Sequence, residues 1–106
     1  MTGEQLTALL AERVMGWGVA PGRYLMGGRR WVPRWRFQPE QNLQDAFRLL
    51  EKAHPERYAM GAEKTGEFWV RVQIAGGVGG ACDASKPKAI TLAVARAIGI
   101  DVEANG

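Results

Sequence analysis

Apolar residues recur at helical spacing in three stretches and alternate with polar ones in two others. Leu6, Leu9, Leu10 and Val14 mark one face of a first helix, opened by Thr2 and Gln5 at capping-box spacing and stopped by Gly16. Leu43, Ala46, Phe47 and Leu50 mark a second helix. Asn42 is placed to cap its free amides, Asp45 supplies negative charge in its first turn, and His54-Pro55 ends it. Ile90, Ala93, Val94, Ala97 and Ile98 form the apolar face of a third helix, with Ser85 as its cap, Pro87 in its first turn and Gly99 after its end. The small alanines on that face predict close packing.

Phe68, Val70, Val72 and Ile74 alternate with Trp69, Arg71 and Gln73, which is the period of a strand with one face turned to a core. The run Tyr58 to Lys64 precedes it, and Thr65-Gly66 between the two predicts a hairpin. From Arg29 to Phe37, the residues Trp31, Pro33, Trp35 and Phe37 alternate with Arg30, Val32, Arg34 and Arg36. That predicts a further strand, which Pro33 restricts to a sheet edge or a bulge. Gly16 to Gly28 reads as an irregular connection and Gly76-Gly77-Val78-Gly79-Gly80 as a glycine-rich one. Asp101 to Gly106 reads as a short polar tail. The order helix, strand, helix, strand, strand, helix predicts an α+β fold: an antiparallel or mixed sheet of about three strands packed by three helices, with helices on both faces, forming a single domain over residues 1–106.

The chain of 106 residues, 46% hydrophobic, is large enough to bury one core. Its single cysteine, Cys82, has no partner for an internal disulfide, which suits a reducing cytoplasm. No run of about 18 apolar residues offers a membrane span, and no basic-then-apolar leader opens the sequence, so the expected setting is cytoplasmic, away from membranes. The net charge of +3 permits nucleic-acid contact without requiring it. Its distribution is more informative: no acidic residue lies between Glu12 and Glu40, whereas Arg23, Arg29, Arg30, Arg34 and Arg36 do.

Reaction chemistry finds little support. The glycine run before the third helix suggests a phosphate cradle, but Lys86 follows Ser85 and precedes Pro87, and neither the P-loop nor the dinucleotide spacing is present. His54 has no catalytic partner in sequence, and the carboxylates form no visible pair. Cys82 reads as a small buried hydrophobe rather than an activated thiol at a helix start. No catalytic residue, cofactor or metal site is expected. The functional candidates are Arg29, Arg30, Trp31, Arg34, Trp35 and Arg36, because guanidinium groups fork to phosphate or carboxylate and indoles stack on bases or fill a partner's pocket. Alternation alone assigns Trp31 and Trp35 to the core and leaves the arginines unexplained. Trp17 is expected to plug the core edge, and Trp69 to pack under a helix if both faces of the sheet are covered.

Several motifs, in order, resemble the phage ABA sandwich domain family of small phage and prophage proteins. They are Val14-Met15-Gly16-Trp17, Trp35 with Phe37-Gln38-Pro39, Asn42-Leu43-Gln44-Asp45-Ala46-Phe47, Trp69-Val70-Arg71-Val72 and Ala89-Ile90-Thr91-Leu92-Ala93. The resemblance implies a sheet sandwiched by helices and a phage origin, and it brings no activity and no catalytic residues. The arginine-rich stretch between Trp17 and Trp35 and the glycine loop depart from the compact pattern. The expected function is that of a non-catalytic accessory factor binding a host or phage protein, such as a host defence factor to be inhibited, or self-associating through the Trp31/Trp35 strand edge. The alternative is a nucleic-acid-binding module using the Arg29 to Arg36 strand.

Overall fold

The computed structural model describes residues 2–102; the tail residues 103–106 lie outside the described part. The α+β class holds, with three helices and six strands arranged in two separate three-stranded antiparallel sheets. Helix α1 spans Gly3–Arg13. Its capping box forms as the sequence predicts: the Thr2 amide donates to Gln5 Oε1 at 2.9 Å and the Gln5 amide to Thr2 Oγ1 at 3.1 Å. Leu6, Leu10 and Ala11 are its buried residues.

The segment Gly16 to Gly28, expected to be irregular, instead holds strands β1 (Gly18–Ala20) and β2 (Arg23–Gly27), which with β3 (Arg30–Pro33) make a meander in the order β1-β2-β3. Pro21-Gly22 turns the chain between β1 and β2, proline fixing one φ and Gly22 supplying φ of 72°. Val19, Tyr24 and Val32 face each other across the strands on one side; Gly18, Leu25 and Trp31 do so on the other. Strands this short, bounded by glycines, show too few alternations to be distinguished from a loop by period.

The predicted strand Arg29 to Phe37 is also corrected. It stops at Pro33, and Arg34–Arg36 forms one 3-10 turn, closed by the Phe37 amide donating to the Arg34 carbonyl at 3.2 Å. The turn breaks the period-two alternation, so Phe37 is buried while Trp31 and Trp35 are 54% and 70% exposed. Neither tryptophan belongs to the core. In their place Trp17, Tyr24 and Phe37 form a buried aromatic cluster with ring centres 5.0 to 6.1 Å apart.

Helix α2 (Leu43–Lys52) starts at Asn42, whose side chain accepts from the Asp45 amide at 3.0 Å. It buries Ala46, Leu49 and Leu50; Leu43, expected on that stripe, is exposed at the first turn. Strands β4 (Arg57–Ala62) and β5 (Phe68–Ile74) form the expected hairpin, and β6 (Gly77–Asp83) completes a second sheet in the order β4-β5-β6. The glycine run read as a connection is therefore a strand.

Helix α3 (Lys86–Ala97) explains why glycines occupy that strand. Gly77 and Gly79 pair with Ile74 and Val72 on the face of the sheet that α3 covers. A Cβ on Gly77 would strike the Ala97 carbonyl, and one on Gly79 would strike the Ala93 carbonyl and the Ala97 amide. The helix backbone thus sits directly on the strand backbone, which only side-chain-free positions allow. The expected close packing of alanines is realised here, with Ala89, Ala93 and Ala97 buried. Helix α2 packs against α3, so α3 is covered nearly all round and also buries Ile90, Thr91, Val94 and Ala95. Among the described residues no helix covers the reverse face of β4-β5-β6, where Arg71 and Val78 are exposed and the Trp69 indole lies over Gly61.

Gly79→Ala is expected to lower stability by at least about 3 kcal/mol, because the two backbones must separate. Gly80→Ala, whose added carbon meets only the Val70 carbonyl oxygen at 3.6 Å, should stay within about 0.5 kcal/mol of the parent. Urea unfolding of the two variants measures the difference.

Candidate functional site

The six residues singled out by sequence fall into three settings. Arg34 is half-buried and ties elements together. Its Nε and Nη2 donate to the Ala20 carbonyl at 3.3 and 3.0 Å, and its Nη1 lies 3.6 Å from Glu4 Oε1. Its guanidinium also stands 5.3 Å from the centre of the Tyr24 ring. The end of β1, the 3-10 turn and the start of α1 meet at this one side chain. Burial pushes the Tyr24 hydroxyl above its usual pKa, with Arg34 opposing the shift and Glu4 reinforcing it.

Arg29, Arg30 and Trp31 line an open hollow of about 400 Å³ on the outer side of the meander, together with Arg23 and Leu25. Trp31 is on this side because its cross-strand neighbour is Leu25, whereas the next residue, Val32, faces Tyr24 and the interior. The Arg23 guanidinium lies 5.5 Å from the Trp31 ring centre. Leu25 packs over Gly18, its side chain within 3.4 Å of the position a Cβ there would take. Arg23 and Leu25 were not among the sequence candidates. Their signal was the alternation Arg23-Tyr24-Leu25-Met26, too short to register inside a segment read as a loop.

Trp35 and Arg36 form the third setting. The 3-10 turn projects Trp35 outward, and the Arg36 guanidinium stacks 5.6 Å from its ring centre. Trp35 stands between two shallow grooves. One, of about 510 Å³, is lined by Glu4, Tyr24, Arg34, Phe37 and Glu40; the other, of about 400 Å³, by Arg36, Gln38, Gln41, Asn42 and Asp45. Burial raises the Glu40 carboxyl above its usual pKa, partly offset by Lys88 and reinforced by Asp83. Arg23, Arg29, Arg30 and Arg36 have no carboxylate within 4.0 Å among the described residues. Trp31 and Trp35, the two most exposed tryptophans, are thus each roofed by an arginine whose charge is unspent.

The remaining sequence candidates lie apart from these three settings. The glycine run is a strand under α3 and not a cradle at the helix start: Gly77 and Gly79 face β5, and the Gly76 amide donates to Glu56 Oε1 at 3.2 Å. His54 is exposed with φ of 51° and ends α2. Among the described residues, no group of three or more His, Cys, Asp or Glu is placed to hold a metal ion, and no helix is long and apolar enough to cross a membrane. Cys82, expected to be buried, is exposed on β6, and its thiol donates to Glu67 Oε2 at 3.1 Å. The correction follows from strand phase: Cys82 pairs with Trp69 on the uncovered face of the sheet.

The hydrogen bond from the thiol to Glu67 holds it protonated and raises its pKa, as does the negative charge of Glu67, Glu63 and Asp83 around it. Raising a thiol pKa removes thiolate at neutral pH, so Cys82 should alkylate more slowly with iodoacetamide than an ordinary exposed cysteine. Glu67→Gln removes a charge and weakens the acceptor, and should speed the reaction at neutral pH. Above the raised pKa, where both proteins are fully thiolate, the difference should close. The pH–rate profile of alkylation measures both effects.

No curated protein matches the chain. The crystal structure of a phage protein from Bacillus cereus ATCC 14579 superposes with a TM-score of 0.70 at 20% identity, covering 92% of each chain, which shows a shared fold. The family model of the phage ABA sandwich domain matches residues 8–94, running from within α1 through both sheets and α2 into α3 and spanning every motif on which the resemblance was drawn. The chain belongs to the phage ABA sandwich domain family.

Proposed function

We propose that the protein is a non-catalytic phage accessory factor, acting in the host cytoplasm, that binds an acidic patch on a host or phage protein. A host defence factor is a fitting target. The observation that carries this reading is the pair of exposed tryptophans, Trp31 and Trp35, each stacked by an arginine without a carboxylate partner. Tryptophan and arginine are the residues that most often dominate the energy of protein interfaces, through a large apolar area and a planar set of donors. Leu25 adds apolar surface next to Trp31. Arg34 is left out of the contact set, since its donors are spent on Ala20 and Glu4.

A second reading, nucleic-acid binding, is favoured by one specific observation: the acid-free stretch from Glu12 to Glu40 places Arg23, Arg29, Arg30 and Arg36 on the surface beside two stackable indoles. The two readings differ in salt dependence and in which residues matter most. Phosphate contacts weaken by about 0.7 to 0.9 logarithmic units per decade of salt for each contact neutralised.

The expected result in affinity capture from host lysate is that the parent retains a partner protein which Trp31→Ala/Trp35→Ala loses. The same two proteins should show no affinity for single- or double-stranded DNA or RNA in fluorescence anisotropy at low salt. Salt-sensitive DNA or RNA binding that Arg23→Ala/Arg30→Ala/Arg36→Ala abolishes would replace the first reading by the second.

A further inference from the structure

Both outer strands of the β4-β5-β6 sheet present unpaired backbone edges, and they are treated differently. The hairpin joining β4 to β5 fixes which groups are spent. The Glu63 amide donates to the Glu67 carbonyl at 2.7 Å, and the register continues through Gly61↔Trp69, Ala59↔Arg71 and Arg57↔Gln73. Those odd-numbered residues turn their amides and carbonyls toward β5, so Tyr58, Met60 and Ala62 turn theirs outward. On β6 the same alternation leaves Val78, Gly80 and Cys82 facing outward, and there Arg96 Nη1 donates to the Gly80 carbonyl at 2.7 Å. A side chain from α3 blunts that edge. No side chain covers the β4 edge in this way among the described residues, and an uncovered edge is a template for another strand.

We propose that a second copy of this chain pairs along the free edge, β4 antiparallel to β4 about a two-fold axis at Met60, joining two sheets into one continuous six-stranded sheet. The residues select both the partner and the register. Outward-facing residues must oppose outward-facing residues, which admits axes at Ala59, Met60 or Gly61 with good overlap of the strands. The axis at Met60 overlaps the whole strand. It sets Tyr58 against Ala62, Ala59 against Gly61 and Arg57 against Glu63 of the second copy, and each pairing occurs twice by symmetry. It also brings Lys64 opposite Glu56, although Glu56 already accepts from the Gly76 amide at 3.2 Å. An axis at Ala59 or Gly61 would set Arg57 against Gly61 or Thr65 and lose the charge pairing. Strand alternation puts Arg57 and Glu63 on the same, uncovered face of the sheet, where both are exposed. On the helix-bearing face Tyr58 is 56% exposed at the strand edge, and pairing covers it against Ala62 and Met60 of the second copy. The Trp31 and Trp35 surface belongs to other elements, so the dimer carries that surface in duplicate.

Sedimentation velocity of the full chain over a concentration series, under reducing conditions that keep Cys82 from cross-linking, tests the proposal. The expected result is a reversible monomer–dimer equilibrium. Arg57→Glu or Glu63→Arg should each weaken it by about tenfold or more, since two attractive cross-strand pairs become repulsive. The double swap Arg57→Glu/Glu63→Arg should return it to near the parental strength. A parent that stays monomeric through the series overturns the proposal, as does a dimer indifferent to the single swaps or a double swap no tighter than either one.

Discussion

Helix α3 lies with its backbone against that of β6, and the rest of the molecule is arranged around that contact. Gly77 and Gly79 leave no side chains in the gap, and Ala93 and Ala97 present almost none from the helix side. An approach this close draws the outer side of α3 into the interior as well, where α2 closes over it with Ala46, Leu49 and Leu50. The cost is a strand rich in glycine, weak in local preference and dependent on tertiary contact for its order. In return, one helix seals a three-stranded sheet whose edge strand β6 has few large side chains of its own.

That economy determines what is left for the surface. The smaller sheet closes around Trp17, Tyr24 and Phe37, and Arg34 ties its edge to α1. With those three rings filling the space, the interior has no room for Trp31 and Trp35, which are held outside by strand phase and by the 3-10 turn. Large apolar rings on a surface are costly in water unless something covers them. Here arginines cover them in part, leaving an amphipathic face suited to a partner.

The sequence revealed the helices and their caps because their signals are local: Thr2 bonds with Gln5, Asn42 with Asp45 and Ser85 with Lys88, all within one turn, and Pro87 sits in the first turn of α3. It revealed β5 because seven residues alternate without interruption. It concealed β1, β2 and β6 for two reasons. The first two strands are short and framed by turn glycines, whereas β6 has glycine where a strand usually carries a side chain, a choice that makes sense only once α3 is seen lying over it. The arginine-tryptophan run was legible as unusual, but its geometry was not, because a single 3-10 turn after Pro33 shifts the phase and separates Phe37 from the two tryptophans before it. Arg34 looked like its neighbours in the sequence and differs from them through distant contacts, with the carbonyl of Ala20 fourteen residues away and with the carboxylate of Glu4.

The central claim is that Trp31 and Trp35 are surface residues outside the core, and acrylamide quenching of tryptophan fluorescence tests it most directly. The structure predicts two classes of indole in the parent protein: a readily quenched, red-shifted class dominated by Trp31 and Trp35 with a smaller share from the less exposed Trp69, and a protected class from the buried Trp17. In Trp31→Phe/Trp35→Phe, the readily quenched fraction should fall to the contribution of Trp69 alone while the thermal unfolding midpoint stays unchanged. Loss of a protected, blue-shifted class together with a fall in the unfolding midpoint would contradict the account, because it would return both rings to the core.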